Sequence, residues 1–316
     1  MLWLKQFDGA AKFFPKGLLR RLRLPASVRE RPCLVRPGGL GDLVILTRAL
    51  IELGVSPTSV DWLVEKRNAI WLDYLGVDYM CYDAADTVLF GLAGLNQYSL
   101  VINTEQTFGL SALLAGRMTA ADGKLVGLES NRRSDCYDLA VDYPQDELEL
   151  ISFKRLVEHA AVAGGGIEQA AFRPPPAKEG QASSHVVVAV AGLQAKYKSH
   201  SMQTWCEIVK KASEYDSLVY LVGAPADRTF AVELQHRCGV QVRNQVGVAP
   251  FPRTVDLVRT AKMLFSVDSG LVHVADFFGV PSQAVFKGGN PKKWRPTAEG
   301  SSVLNSKLEP LNLDSA

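Results

Sequence analysis

The chain of 316 residues contains no run of 18 or more apolar residues, so no segment reads as a bilayer-spanning helix. It has almost no net charge. Against 35 Lys and Arg stand 33 Asp and Glu, +2 overall, and no global field exists to gather nucleic-acid phosphates. Cysteine is scarce: Cys33, Cys81, Cys136, Cys206 and Cys238 are odd in number, scattered and never at C-x-x-C spacing. This excludes a disulfide framework or zinc knot and suits structural thiols in a reducing cytosol. Asp-x-Asp is absent and no His, Cys or Glu cluster has metal-ligand spacing, so neither a metal nor another cofactor is expected. Also missing are G-x-G-x-x-G, the Gly-Lys-Ser/Thr ending of a P-loop and the G-x-S-x-G elbow, which leaves dinucleotide, NTPase and hydrolase readings without a signature. A secretory signal is lacking too, because Lys5, Asp8, Lys12, Lys16, Arg20, Arg21 and Arg23 interrupt the N-terminal apolar residues.

What is present begins with an unusual first segment. Residues 1–31 carry eight Lys or Arg against Asp8 and Glu30, interleaved with Leu2, Trp3, Leu4, Phe7, Phe13, Phe14, Leu18, Leu19 and Leu22. Spacings of three and four would gather much of this set on one side of a basic amphipathic helix. Such a helix suits a membrane surface of anionic lipids. A helix packed on the first domain would show the same pattern, and Gly9, Pro15 and Gly17 interrupt it.

From Cys33 onward, strands and helices alternate. Cys33–Arg36 is a short apolar strand, Pro37 to Asp42 a glycine-rich turn, and Leu43–Leu50 an apolar helix. Strands are expected at Val60–Val64, Tyr79–Tyr82 and Leu100–Asn103, with helices around Arg67–Leu75 and Leu110–Ala115. Phe172–Ser184, with Pro174, Pro175 and Pro176, reads as a stiff polar linker. The alternation then restarts: strands at His185–Ala191, Leu218–Gly223, Leu264–Val267 and Ser282–Phe286, helices at Met202–Tyr215, Phe230–Arg237 and Gly270–Phe278. The expectation is an α/β chain: a basic segment at 1–31, a Rossmann-like domain at 32–172, a linker at 173–184, and a second Rossmann-like domain at 185–316, the two facing a cleft.

Five constellations fall in turns. Gly38-Gly39-Leu40-Gly41-Asp42 joins a strand to a helix, where backbone N–H groups could approach a ligand. Asp42 is there either a general base or a helix cap. Asp268-Ser269-Gly270 opens a helix whose N–H groups and dipole favour a phosphate, with His273 one turn along; a plain capping turn with a buried His would look the same. Lys196-Tyr197-Lys198, Gly223-Ala224-Pro225-Ala226-Asp227 and Phe286 to Pro296 follow further strands. Four of the five follow strands of one expected sheet, the edge at which open α/β sheets bind ligands.

Taken in order, Arg36 to Asp42, Ala191-Gly192 with Lys198 and Trp205, Gly223 to Asp227, and Val267 to His273 resemble glycosyltransferase family 9, the heptosyltransferase family of lipopolysaccharide core assembly. The resemblance runs from about residue 32 to 296 and is strongest in the second half. It implies a GT-B fold and an inverting, metal-independent transfer from a nucleotide sugar, usually ADP-heptose, to a lipid-linked saccharide. Such an enzyme works in the cytoplasm on the inner face of the inner membrane and needs no nucleic acid. Asp42 stands where the family has its catalytic aspartate. Lys198 stands seven residues before Trp205, as the donor-phosphate lysine does, and Asp268, Ser269, Gly270 and His273 match the Asp-Ser/Thr-Gly-x-x-His motif.

The sequence departs from the family in three places. Gly38-Gly39 replaces Ser-Ser, Lys198-Ser199-His200-Ser201 replaces Lys-Arg-Trp-Pro, and Lys287-Gly288-Gly289-Asn290-Pro291 replaces Gly-Pro-Thr-Asp-Pro. The expected site is therefore Asp42 as base, Gly38, Gly39 and Gly41 as the acceptor-side loop, and Lys198, Gly223, Asp268, Ser269, Gly270 and His273 around the donor. Two rival readings are a non-catalytic nucleotide-sugar-binding protein, motivated by the altered loops, and a nucleotide-sugar epimerase on the same fold.

Overall fold

The structure, a computed structural model, describes residues 28–84, 87, 97–105, 109–129, 134–176, 184–191, 193 and 199–313. The chain divides into two compact units, Met1–Pro175 and Pro176–Ala316.

The first unit is built on a parallel sheet of β1 (Val28–Arg29), β2 (Cys33–Arg36), β3 (Asp61–Val64), β4 (Met80–Cys81), β5 (Gln97–Asn103), β6 (Thr119–Leu128) and β7 (Leu139–Val141). Its order is β4-β3-β2-β5-β6-β7, with β1 pairing beside the start of β5. Strand β2 is buried along its whole length because β3 and β5 flank it and helices cover it, which is why Cys33, Leu34 and Val35 read as an apolar run before Arg36. The helices are α1 (Leu40–Glu52), α2 (Lys66–Leu75), α3 (Gly109–Met118) and α4 (Glu149–Gly164). Helix α1 buries seven residues, Leu43 to Thr47 with Ala49 and Leu50, and packs beside α4 and α2. The large aromatic donors inside are satisfied: Trp71 Nε1 donates to Thr47 Oγ1 at 2.9 Å and Trp62 Nε1 to the Pro57 carbonyl at 2.8 Å.

The second unit holds a six-stranded parallel sheet: β8 (Val186–Val190), β9 (Val219–Gly223), β10 (Val242–Asn244), β11 (Leu264–Val267), β12 (Ser282–Val285) and β13 (Ser302–Leu304), in the order β10-β9-β8-β11-β12-β13. Its helices are α5 (Met202–Tyr215), α6 (Arg228–Arg237), α7 (Phe251–Arg259), α8 (Gly270–Phe277) and α9 (Pro291–Trp294). Helix α5 shows how local signals and packing agree. Ser201 caps it by accepting from Thr204 N at 3.1 Å, and Trp205, Ile208, Val209 and Ala212 form one buried face. That face packs on the apolar side of β8 and β9.

Both sheets thus carry the strand order 3-2-1-4-5-6, counting β2 to β7 and β8 to β13 as one to six. The structure agrees with the expected α/β class and with the elements named from sequence to within a few residues. It adds β6, β7, α4, β10, α7 and β13. Strand β6 hides its nature behind exposed Ala121, Asp122 and Lys124 and behind Gly123, where a side chain would meet the Tyr98 carbonyl at 2.7 Å. One expectation is corrected. Residues 28 and 29 belong not to a basic helix but to β1, where Arg29 bonds Asp61 at 2.9 Å and lies over the Tyr98 ring. The remainder of the basic segment, 1–27, lies outside the described residues. Among the described residues no helix is long and apolar enough to cross a membrane, and all five cysteines are free.

Candidate active site

In a sheet of this order the chain reverses direction between the first and fourth strands, and the crevice at their carboxyl ends is where ligands bind. In the first unit that point lies between β2 and β5. Strand β2 ends in Arg36, whose buried guanidinium is fixed on three sides. Nε donates to the Gly38 carbonyl at 2.9 Å and Nη1 to the Thr104 carbonyl at 2.7 Å, while Nη2 meets Asp42 Oδ2 at 3.0 Å. Glu105 Oε2 lies 4.0 Å from the same Nη2 and accepts the Gly38 N–H at 3.2 Å. The Phe153 ring of α4 backs the cation.

The turn explains its glycines. Gly39 is the N-cap of α1 at φ +66°, and a Cβ there would fall 1.8 Å from Asp42 Oδ2. The Asp42 carboxylate therefore folds back over the turn, from the first turn of α1, toward Arg36. Asp42 is not the capping residue itself, since Gly39 holds that place. The Gly38 N–H, expected to face a ligand, is already taken by Glu105.

Around this contact sits a buried charge cluster. Glu149, the first residue of α4, is fully buried and accepts the Tyr143 hydroxyl at 2.8 Å. Burial works against the Arg36 charge, but Asp42, Glu105 and Glu149 outweigh it and raise the guanidinium's pKa. Burial, followed by the Glu149 charge, pushes the Tyr143 phenol well above its ordinary range, with Asp42 adding to the effect. The phenol stays protonated and serves as a donor. Glu105, Tyr143 and Glu149 were not singled out from sequence. Glu105 follows a strand end and was findable by the same edge rule that picked out the other turns, whereas Tyr143 and Glu149 had no local signal.

The second unit presents hydroxyls and a helix start at the equivalent point, between β8 and β11, with the Asp268 carboxylate beside them. Buried Ser266 reaches the Ala189 carbonyl of β8 at 3.3 Å and the Ser269 hydroxyl at 2.9 Å. Ser269 is the N-cap of α8 and Gly270 its first residue, so the turn hands its N–H groups to the helix start. Buried Asp268 lies against Gly289, where an added Cβ at φ +89° would sit 3.0 Å from its carboxylate. His273 is buried and meets the Trp294 ring edge-on, with centroids 6.3 Å apart. Gly223 ends β9, and a side chain there would meet the Val190 carbonyl at 2.5 Å, so close strand packing alone requires the glycine. Lys287 Nζ, beyond β12, donates to the Ser199 carbonyl at 2.7 Å. Lys196, Tyr197 and Lys198 lie outside the described residues.

Thus Asp268, Ser269, Gly270 and His273 cluster at one strand end with the loop after β12, and Gly38, Gly39, Gly41 and Asp42 cluster at another in the first unit. Among the described residues no group of three His, Cys, Asp or Glu side chains is arranged to hold a metal.

Known proteins match this architecture. The family model for glycosyltransferase family 9 (heptosyltransferase) covers residues 94–312. A family 9 glycosyltransferase of Veillonella parvula superposes with a TM-score of 0.68 at 14% identity, over 88% of this chain and 86% of that one. The ADP-heptose lipopolysaccharide heptosyltransferase II of E. coli reaches 0.67 at 16%, over 87% and 90%. The E. coli heptosyltransferase WaaC, solved with ADP, reaches 0.65 at 18%, over 90% and 97%. No curated protein sequence matches the chain.

Proposed function

The chain belongs to glycosyltransferase family 9, the heptosyltransferase family, and is a glycosyltransferase; from that premise we propose that it moves a heptose-like sugar from a nucleotide donor to a membrane-anchored saccharide, with inversion and without a metal. The observation that carries the reading is the Asp42 carboxylate, held 3.0 Å from a buried arginine at the ligand-binding edge of its sheet. In this reading the first unit takes the acceptor and the second the donor.

Asp42 is the base that removes the acceptor hydroxyl proton as that oxygen attacks the anomeric carbon. Attack comes from the face opposite the leaving diphosphate, through a transition state with sugar-cation character. Arg36 is a positioning residue, because its fork fixes both the carboxylate and the turn that carries it. In the second unit the Ser269 and Gly270 turn, with the dipole of α8 behind it, meets the developing diphosphate charge together with Lys198. Asp268 and His273 shape the pocket, and Gly223 lines its far side.

ADP-heptose is the first donor to try, since the E. coli proteins of this fold are named for it or were solved with ADP. The basic residues of segment 1–27 would bring the enzyme to an anionic membrane on its cytoplasmic face. A thermal-shift screen against ADP-, GDP-, UDP- and CMP-sugars identifies the donor, because a bound ligand raises the midpoint by mass action. With that donor, Asp42→Asn should lower kcat by roughly a hundred- to ten-thousandfold and leave donor affinity unchanged. Turnover near wild type would remove Asp42 as base. Turnover abolished by a chelator and restored by a divalent cation would remove the metal-free reading.

A further inference from the structure

Three carboxylates meet one buried cation at the ligand-binding edge of the first unit, and the proposed transfer uses one of the three. Asp42 lies 3.0 Å from Arg36 Nη2, and Glu105 lies 4.0 Å from it. Glu149 approaches the same guanidinium from α4. It stands one turn before Phe153, so the two share a face of that helix, and the Phe153 ring lies against Arg36. Glu149 is fully buried, yet several features hold its charge. It opens α4, where the helix dipole favours a negative group, the Tyr143 hydroxyl donates to it at 2.8 Å, and its charge acts on Arg36.

The other charges on the elements packed around this point are paired with each other or face water. Arg48 of α1 and Lys154 of α4 both bond Glu52, Arg155 bonds Glu147, Arg67 bonds Glu65 at the start of α2, and Asp61 of β3 bonds Arg29. Lys66 and Asp73 of α2 and Glu158 and His159 of α4 are exposed. Water and salt screen such groups. Among the described residues, the buried point therefore sets one positive group against three negative ones.

This imbalance bears on what Asp42 can do. A carboxylate facing one arginine alone holds its charge so firmly that it accepts a proton poorly, and a general base has to accept one. A second carboxylate on the same cation engages part of its field, and charges act strongly on each other where water is excluded. The guanidinium registers the excess: burial works against its charge, and Asp42, Glu105 and Glu149 together overcome that. Glu105 also accepts the Gly38 N–H and so shapes the turn itself. Glu149 is the one held from another helix, with Tyr143 favouring its anion.

We propose that Glu149, held by Tyr143, is a positioning residue that keeps Asp42 able to take a proton by engaging part of the Arg36 charge. This rests on Asp42 as the base, and adds the reason that a carboxylate bound to an arginine can do that work.

The test is an NMR titration of the full chain, isotope-labelled at its aspartate carboxyl carbons, with the Asp42 signal identified by its loss in Asp42→Asn. Glu149→Gln keeps the shape and the acceptor for Tyr143 but removes the charge. It should move the Asp42 midpoint to lower pH, a fall in proton affinity of about tenfold or more. Tyr143→Phe should move it the same way by less, since Glu149 without its donor is more easily neutralised. Glu158→Gln, the same change on the exposed side of α4, should leave the midpoint where it is. A packing defect alone would lower stability without moving this midpoint. The proposal is overturned if the midpoint stays or rises in Glu149→Gln, or if Glu158→Gln lowers it as much. If Glu149→Gln does not fold, Tyr143→Phe decides on the same criterion. The base reading fails separately, through wild-type turnover of Asp42→Asn, and that result leaves the titration standing.

Discussion

The two units share one strand order and one ligand-facing edge, yet they equip the same topological position in opposite ways. In the first unit the crossing point of β2 and β5 is charged and closed in on itself: Arg36 is bound to Asp42, to two backbone carbonyls and, more distantly, to Glu105. In the second, the crossing point of β8 and β11 is made of serine hydroxyls, a glycine and a helix start beside a single carboxylate, Asp268, with no buried arginine among the described residues against it. A scaffold of this kind supplies an edge and leaves the chemistry to the turns. The proposed roles fit this difference: a base must be held in one place, which a fixed ion network does, whereas a diphosphate brings its own charge and needs donors and room.

This contrast can be broken, and the largest effect should come from the charged point. Arg36→Met removes the buried cation and strands Asp42, Glu105 and Glu149 together. Loss of one partner from a buried ion network should cost about 3–5 kcal/mol, read as a lower urea midpoint. If stability changed by less than about 1 kcal/mol, the network would not be the rigid anchor described here. The second point should respond less. Ser266→Ala deletes the bridge between Ala189 and Ser269 and should cost about 1 kcal/mol, with a few-fold loss of donor affinity in a binding titration. A loss as large as that of Arg36→Met would erase the distinction between the two edges.

The smallest effect concerns pH. Burial, and then the Lys287 charge, pushes the His200 imidazole below its ordinary value of 6.5. Below pH 6.5 the unfolded chain takes up the proton before the folded one does, so stability falls as pH drops through that window. His200→Gln should flatten the decline, seen as a Tm that changes by a few degrees less between pH 7 and pH 5. An unchanged slope would show that other groups, not this ring, set the acid limit of the second unit.

Much of the fold was legible because its signals are local. Helix α5 begins at a capping serine and shows its buried face in residue spacing, and β8 announces itself by five buried apolar residues in a row. Less legible were elements whose patterns are interrupted, such as β6 with its Asp122 and Gly123. The two-residue β1 was hidden inside a basic stretch that reads as helix. Of the site residues, the turns carrying Asp42 and Asp268 to Gly270 were readable from their place after a strand. The partners of Asp42 were not, because Arg36 could be named without any sign of what it would bind.

By itself, then, the sequence determined the alternation of strands and helices, the turns that follow the strands, and the family those turns point to. Those properties depend on residues within a few positions of each other. Only the tertiary structure decided the rest. It set Glu105 against a glycine 67 residues earlier and Lys287 against a carbonyl 88 residues earlier, and it closed the Arg36, Asp42 and Glu149 cluster through strand order. The physical reason is that parallel strands become neighbours through crossover connections. What meets at their ends is set by sheet topology, which no local pattern records.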